Sequence, residues 1–314
     1  SFTRKEGPAP AGANLTVRNK QERPAGPQRK GPSIMFSFFP PLCTTPLLKF
    51  SYTFLLLIIY SILGWCGEMI YCSAGQRKLC EKRGFLNGPV CPIYGHGALV
   101  VLLCLHGGCK NPLLTFLLGA VLTSLVEYIT SFAMEKLFHM RWWDYSQYKF
   151  HLNGRVCLLN STLFGLASVF LCHFANPPIS AWLAGLLASG AAVPLSLILL
   201  AVYLTDIVLS VRGAIQLGGR LARLHAIYGE LSEKLESMTA EARQTVHTKL
   251  EERGGELTAR LEAVRQEAQQ KLRTLYDRQS LFERRLLRSF PTMRSIHYPE
   301  AMKKWKEYLE SRKK

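Results

Sequence analysis

Charge is scarce through the middle of this chain. Residues 35–211 hold ten Lys/Arg and six Asp/Glu, although the 314 residues together carry 39 basic and 22 acidic side chains and a net charge of +17. An average soluble domain is about one quarter charged, so the middle of the chain is poorly suited to water. Other signatures are missing too. The nine cysteines form no Cys-x-x-Cys pair and no His/Cys cluster at zinc spacing, which leaves no sequence basis for a metal or redox centre. Most of them sit in or beside apolar runs and read as reduced, small hydrophobes without a disulfide framework. No Gly-x-x-x-x-Gly-Lys-Ser/Thr phosphate loop occurs, so any ATP-driven work needs another chain. With no recognisable nucleophile, metal cluster or cofactor loop, an enzyme using Glu68 and Glu127 as an acid/base pair is disfavoured. No cofactor, metal or nucleic acid is expected.

What the middle does contain is apolar sequence. A helix needs about 20 mostly apolar residues to cross the hydrocarbon core, and segments 50–71, 92–108, 112–134, 156–174 and 179–211 meet or approach that. The second is interrupted by Gly95, His96 and Gly97. The last is over-long and contains Pro194, so it reads as an interfacial helix leading into a span or as two tight spans. The expected fold is all-α: a polytopic helical membrane bundle of about five transmembrane helices with a C-terminal cytoplasmic helical or coiled-coil tail. Basic residues number four in 73–91, one in 107–111, four in 135–155 and none in 175–178. By the positive-inside rule the first and third loops and the C-terminus are then cytoplasmic, and Lys110 and the 175–178 turn lie outside.

The ends differ from the middle. Residues 1–34 are basic, rich in Pro and Gly and without apolar periodicity, and they precede the first methionine, Met35. They read as a disordered N-terminal extension, followed by a transmembrane domain over 35–211. In the expected cytoplasmic segment 212–290, Leu217, Leu221, Leu224, Tyr228, Leu231, Leu235 and Met238 recur by fours and threes, a heptad seam. Leu217, Leu221, Leu224, Leu231 and Leu235 are therefore candidates for self-association or for binding a partner helix. The Gly254-Gly255 pair marks a break, a hairpin or a hinge. Residues 291–314 read as a basic tail.

Within the membrane domain, Leu86-Asn87-Gly88-Pro89-Val90-Cys91 and Leu152-Asn153-Gly154-Arg155-Val156-Cys157 agree at five of six positions. Each ends a basic loop, opens an even-numbered span and follows a span carrying a glutamate, Glu68 or Glu127. A duplicated hairpin, its copies related by an axis along the membrane normal, accounts for this; Asn-Gly used twice as a turn is the alternative. Ionisable residues within spans tend to face the bundle interior. Glu68, Glu127 and Asp206 each lie on a polar helical stripe, with Trp65 and Cys72, with Ser131 and Glu135, and with Tyr203 and Ser210. Arg83 and Arg155, beside the two motif copies, are their natural partners. The expected intramembrane polar cluster is Glu68, Arg83, Asn87, Glu127, Asn153, Arg155 and Asp206, serving either bundle packing or a substrate or ion. Trp142, Trp143, Asp144 and Tyr145 read first as an aromatic belt at the inner interface and otherwise as a coupling surface.

The strings Gly64-Trp65-Cys66-Gly67-Glu68, Arg83-Gly84-Phe85-Leu86-Asn87-Gly88-Pro89, Pro92-Ile93-Tyr94-Gly95, Glu127-Tyr128, Trp143-Asp144-Tyr145-Ser146 and Asn153-Gly154-Arg155-Val156-Cys157-Leu158 together resemble the bacterial family of putative ABC-transporter type IV (CmpB-like) permeases. The order and spacing agree over roughly 50–211, and Leu286 to Ser295 is similar as well. Lys82 before Arg83 departs from the family's Asn-Arg-Gly-Phe. The resemblance implies a permease-like subunit in a bacterial plasma (inner) membrane, working with the lipid bilayer around it and a separate ATPase subunit. A membrane-anchored scaffold or regulator, assembling partners through its coiled-coil tail, is the competing expectation.

Overall fold

The computed structural model describes residue 7 and residues 38–76, 84–105, 111–245, 250–277 and 280–311. The chain divides into two units, Ser1–Ser33 and Ile34–Lys314. Apart from Gly7, the expectation for residues 1–34 falls outside the described residues.

Proline opens the first three of the described helices. Helices α1 (Pro46–Gln76), α2 (Pro92–Leu105) and α3 (Pro112–Phe138) all open on proline, whose missing N–H is no loss in the first turn and whose φ suits a helix. Asn111 caps α3, its side chain accepting from the Leu113 amide at 2.9 Å. At the other end His139 adopts a left-handed φ of 52° and turns the chain into strand β1 (Met140–Arg141). A short hairpin, β2 (His151–Leu152) and β3 (Val156–Cys157), leads into α4 (Leu158–Phe170).

Four helical stretches are long and apolar enough to cross a membrane: Pro46–Ala74, Pro112–Phe138, Leu158–Ala188 and Ala192–Ala240. Helix α2, at 14 residues, is about 21 Å long, short of the roughly 30 Å hydrocarbon core. The five expected spans are thus four full-length helices and one shorter apolar helix among the described residues. The limits of the later spans also differ. No turn occurs at 175–178: α4 passes through a π-helical segment (Leu171–Ala175) into α5 (Asn176–Ala188). Widened turns of this kind absorb irregularities in the hydrogen-bond ladder, and here Pro177 and Pro178 contribute no N–H of their own. The chain reverses instead at 189–191, where Gly190 has φ +76°. Pro194 then falls in the first turn of α6 (Ala192–Thr245), where it breaks nothing.

Within the bundle, small residues let helices approach closely. A Cβ on Gly119 of α3 would lie 2.3 Å from the Ser168 Cβ of α4. Buried polar groups bond across helices, Tyr60 Oη to Asn176 Oδ1 at 2.8 Å and Ser196 Oγ to Ser51 Oγ at 2.9 Å. The outer faces are apolar: Leu117, Val121, Leu125 and Ile129 of α3 and Ile198, Val202 and Leu209 of α6 are exposed. So large a contiguous apolar surface suits hydrocarbon rather than water.

Helix α6 continues far past Arg212, so the expected boundary at 212 is not a break in structure. Helix α7 (Leu250–Asp277) returns antiparallel to α6, with Lys234 3.5 Å from Glu267 and Lys271 3.3 Å from Glu230. It runs helically through Gly254 and Gly255. The first half of the heptad seam is filled by the chain itself: Leu217, Leu221 and Leu224 are fully buried, packed with Tyr276, Leu286, Met293, Met302 and Trp305, whereas further along Leu231 is half-buried and Leu235 exposed. The three buried leucines are therefore not available for self-association. The described part of the expected 291–314 tail, up to Ser311, is folded as well. Helix α8 (Leu281–Ser289), strand β4 (Arg294–Ser295) and α9 (Pro299–Ser311) close this second core, with Trp305 completely enclosed. A Ser280–Glu283 capping box starts α8. The Glu283 carboxylate, itself buried, pairs with Arg220 at 2.9 Å.

Candidate functional site

The two motif copies meet different partners. In the first, the Asp206 carboxylate of α6 gathers the loop. Its Oδ1 accepts from the Asn87 amide at 2.8 Å and the Asn87 side chain at 2.9 Å, and its Oδ2 accepts from the Gly88 amide at 2.7 Å. Ser210, one turn further along α6, donates to the same Oδ1 at 3.2 Å. Donors converging on one carboxylate stabilise its ionised form. A Cβ on Gly88 would lie 3.2 Å from Asp206 Oδ2, a tight contact to which the carboxylate would have to yield by a few tenths of an ångström. From the far side, the Arg285 guanidinium of α8 donates to the Phe85 carbonyl at 2.8 Å and to the Leu86 carbonyl.

In the second copy Asn153 and Gly154, at φ 53° and 67°, form the tight turn of the β2–β3 hairpin, closed by the Arg155 amide on the Leu152 carbonyl at 3.0 Å. Two consecutive positive φ values mark a type I′ turn, for which Asn-Gly is the preferred pair. Arg155 is buried and pairs with Glu135 Oε1 at 2.9 Å, while Arg141 holds the other Glu135 oxygen at 3.1 Å. Arg155 also reaches Ser131 Oγ at 3.4 Å. The Glu127, Ser131 and Glu135 stripe of α3 therefore does face this motif.

Glu127 itself has another partner. Only 4% exposed, it accepts from the Tyr145 hydroxyl at 3.1 Å through Oε1, while Oε2 makes no hydrogen bond among the described residues. Asn160 of α4 stands near enough to act on it. Burial and then the Glu127 carboxylate beside it push the Tyr145 hydroxyl well above the usual phenol range, which keeps it a donor. The expected Glu127–Arg155 pair is corrected on this point: the guanidinium goes to Glu135, one helical turn past Ser131. Glu68 lies 3.9 Å from Cys91 Sγ through Oε2. Both Glu68 and Glu127 act electrostatically on Tyr94 and Tyr145, so the two acids share one neighbourhood. Arg83 lies outside the described residues, and its expected role with it.

The 142–145 stretch turns inward rather than to a membrane belt. Trp142 is 2% exposed, edge-on to Phe138 and Phe290 in the second core. Trp143 Nε1 donates to the Arg155 carbonyl at 3.0 Å. Asp144 accepts from the Ser146 hydroxyl and faces Arg294 at 3.0 Å and Arg141 at 3.7 Å. Burial alone would raise the Asp144 pKa, but the Ser146 hydrogen bonds and the Arg294 and Arg141 charges outweigh it and hold the carboxyl below its ordinary 3.8. Strand β1 pairs antiparallel with β4, Met140 opposite Ser295 and Arg141 opposite Arg294. Arg285 had carried no signal in the sequence, and Arg294 had entered only within the Leu286–Ser295 stretch of the resemblance. Both stand more than 130 residues from the loops they hold, with no spacing that ties them there.

Among the described residues no group of three or more His, Cys, Asp or Glu could hold a metal. The arrangement instead fixes two loops at one end of an apolar bundle through carboxylates that are buried (Glu127) or half-buried (Glu135, Asp144, Asp206). Apolar outer faces and four spanning-length helices define a multi-pass α-helical membrane protein. Residues 55–211 match the family described as putative ABC-transporter type IV, and the chain belongs to it. Searches of the curated proteins and of the solved structures return no match. The matched stretch includes Glu68, Asn87, Glu127, Asn153, Arg155 and Asp206 but stops short of Arg285 and Arg294.

Proposed function

We propose that this chain is the permease-like membrane subunit of a transporter, non-catalytic itself and driven by a separate ATPase chain, in a bacterial plasma membrane with its C-terminus in the cytoplasm. The observation that carries the reading is the pairing of the family match with carboxylates kept inside the bundle end, Glu127 on Tyr145 and Asp206 on the Asn87–Gly88 amides. An anchor needs no such groups, and intramembrane acids usually mark a path or a binding site. The basic loops support the orientation. Purification of the full chain from its native membranes, followed by identification of what accompanies it, tests the reading: a stoichiometric ATPase supports it, and its reproducible absence speaks against it.

A scaffold or regulator is the second reading. It draws support from the two-helix arm of α6 and α7, where Glu230, Lys234, Glu267 and Lys271 flank the helix–helix contact at the surface and pair across it. Co-purification of a cytoskeletal or envelope-building enzyme in place of an ATPase favours this alternative.

A further inference from the structure

The hairpin that carries the second motif has an outer side unaccounted for by the contacts above. Tyr148, Phe150 and Leu152 are exposed, Phe150 at 71% and Leu152 at 61%, in the same turn-and-strand segment whose inner side buries Val156 and Cys157. Lys149 stands exposed between the two aromatic residues. The Leu158 amide donates to the Phe150 carbonyl at 2.9 Å, which fixes Phe150 level with the first residue of α4. There Leu158 and Leu159 are exposed too, and they begin the apolar stretch Leu158–Ala188 that is long enough to cross the membrane. The apolar surface of the hairpin is thus continuous with the lipid-facing surface of a span, at the point where that span starts.

We infer that the 146–152 segment leading into the hairpin is an interfacial anchor that seats Phe150 and Leu152 in the bilayer boundary, with Tyr148 at headgroup level and the Lys149 ammonium on lipid phosphate. Aromatic rings with a polar atom favour that level, and lysine keeps its head in the polar layer while its stem lies on apolar surface. The inference does not depend on transport. It assigns to this segment the membrane contact expected of Trp142 and Trp143, both of which face protein. It also gives the bilayer a hold on the second motif, because the anchored strand β2 runs directly into Asn153, Gly154 and Arg155.

The test replaces Phe150 by photoreactive p-benzoylphenylalanine in the full chain, expressed in bacterial membranes and irradiated there. The same label at Leu163, exposed on the spanning part of α4, serves as the lipid reference, and at Leu281, exposed on α8, as the water reference. The expected result is a phospholipid-mass adduct at position 150 in yield comparable to position 163, with none at 281. An adduct to another polypeptide would show a protein partner on this face and overturn the anchor, as would no adduct at all. If the chain labelled at Phe150 fails to accumulate, the decision is read at Leu152 by the same criteria.

Discussion

The two Leu-Asn-Gly-x-Val-Cys segments share five residues and almost nothing of their conformation. In the second, the Arg155 N–H closes a type I′ turn on Leu152. The first has Pro89 at the equivalent place. Proline has no N–H to close that turn, and it pushes the residue before it toward extended backbone. Asn87 and Gly88 keep their amides free as a result, and those amides find the Asp206 carboxylate. A single side chain thus separates a self-closed hairpin, which places an arginine on Glu135, from an open loop that wraps an aspartate on another helix. Similarity in sequence between the copies does not carry over to their electrostatic partners: one motif supplies a cation to an acid, the other supplies amides.

The largest effect is expected from Arg155. Arg155→Gln empties the buried arginine site and leaves Glu135 to Arg141 alone, and it should destabilise the protein by about 3 kcal/mol, the low end for a broken buried pair, read as thermal unfolding in detergent. Arg155→Pro, which imposes the chemistry of the first copy on the second, should destabilise further. In double-mutant cycles Arg155 should couple to Glu135, and its coupling to Glu127 should stay below about 0.5 kcal/mol. Strong coupling to Glu127 would return the two copies to one shared acid–arginine scheme. Asp206→Asn comes next. It removes the charge from the hydrogen bonds offered by Asn87 and Gly88, an expected loss of about 2 kcal/mol, and should couple to Arg285→Lys but not to Arg155→Gln.

The glycines sharpen the contrast. Gly154→Ala strains a residue at positive φ by roughly 1–2 kcal/mol and drives a Cβ to 2.4 Å from Asp144 Oδ1. Gly88→Ala meets only Asp206 Oδ2 at 3.2 Å, without a φ penalty, and should be the milder change. A reversal of that order would mean that the first loop is the more tightly held. The smallest effect belongs to Arg294→Gln. Arg294 is about half exposed, so the substitution should remove about 0.5 kcal/mol at neutral pH. Its signature lies in acid. A carboxyl held below its unfolded value gives stability that is present above that value and lost as pH falls through the folded one. Asp144 should therefore lose its contribution only below about pH 4, and Arg294→Gln should flatten unfolding profiles in that range alone.

Much of this was written in local periodicity. The Glu127, Ser131 and Glu135 stripe and the Asp206, Ser210 pair follow from spacing of four on a helix, and the heptad leucines from alternating fours and threes. Periodicity identifies a face but not what covers it. Leu217, Leu221 and Leu224 met Tyr276, Met302 and Trp305 of their own chain, where another helix was expected, and the stripe on α3 divided between Tyr145 and Arg155. The limits of the last spans were misjudged because Pro177-Pro178 reads locally as a stop, and only the π-helical segment before it shows how the helix goes on. Arg285 was not legible at all. Its targets are backbone carbonyls, and a carbonyl leaves no trace in the amino-acid letters.

Helix α6 runs for 54 residues without interruption. From Asp206, where it grips the first loop, to its end at Thr245 there are 39 further residues, about 58 Å of continuous rod. Such a rod has no joint at the membrane surface. A tilt of about 10° at the bundle would swing its far end by roughly 10 Å, and a force applied to that end would return to Asp206 as torque. Mechanically the arm and the loop grip are two ends of one lever, so whatever leans on the arm has leverage on the Asn87–Gly88 loop without touching it.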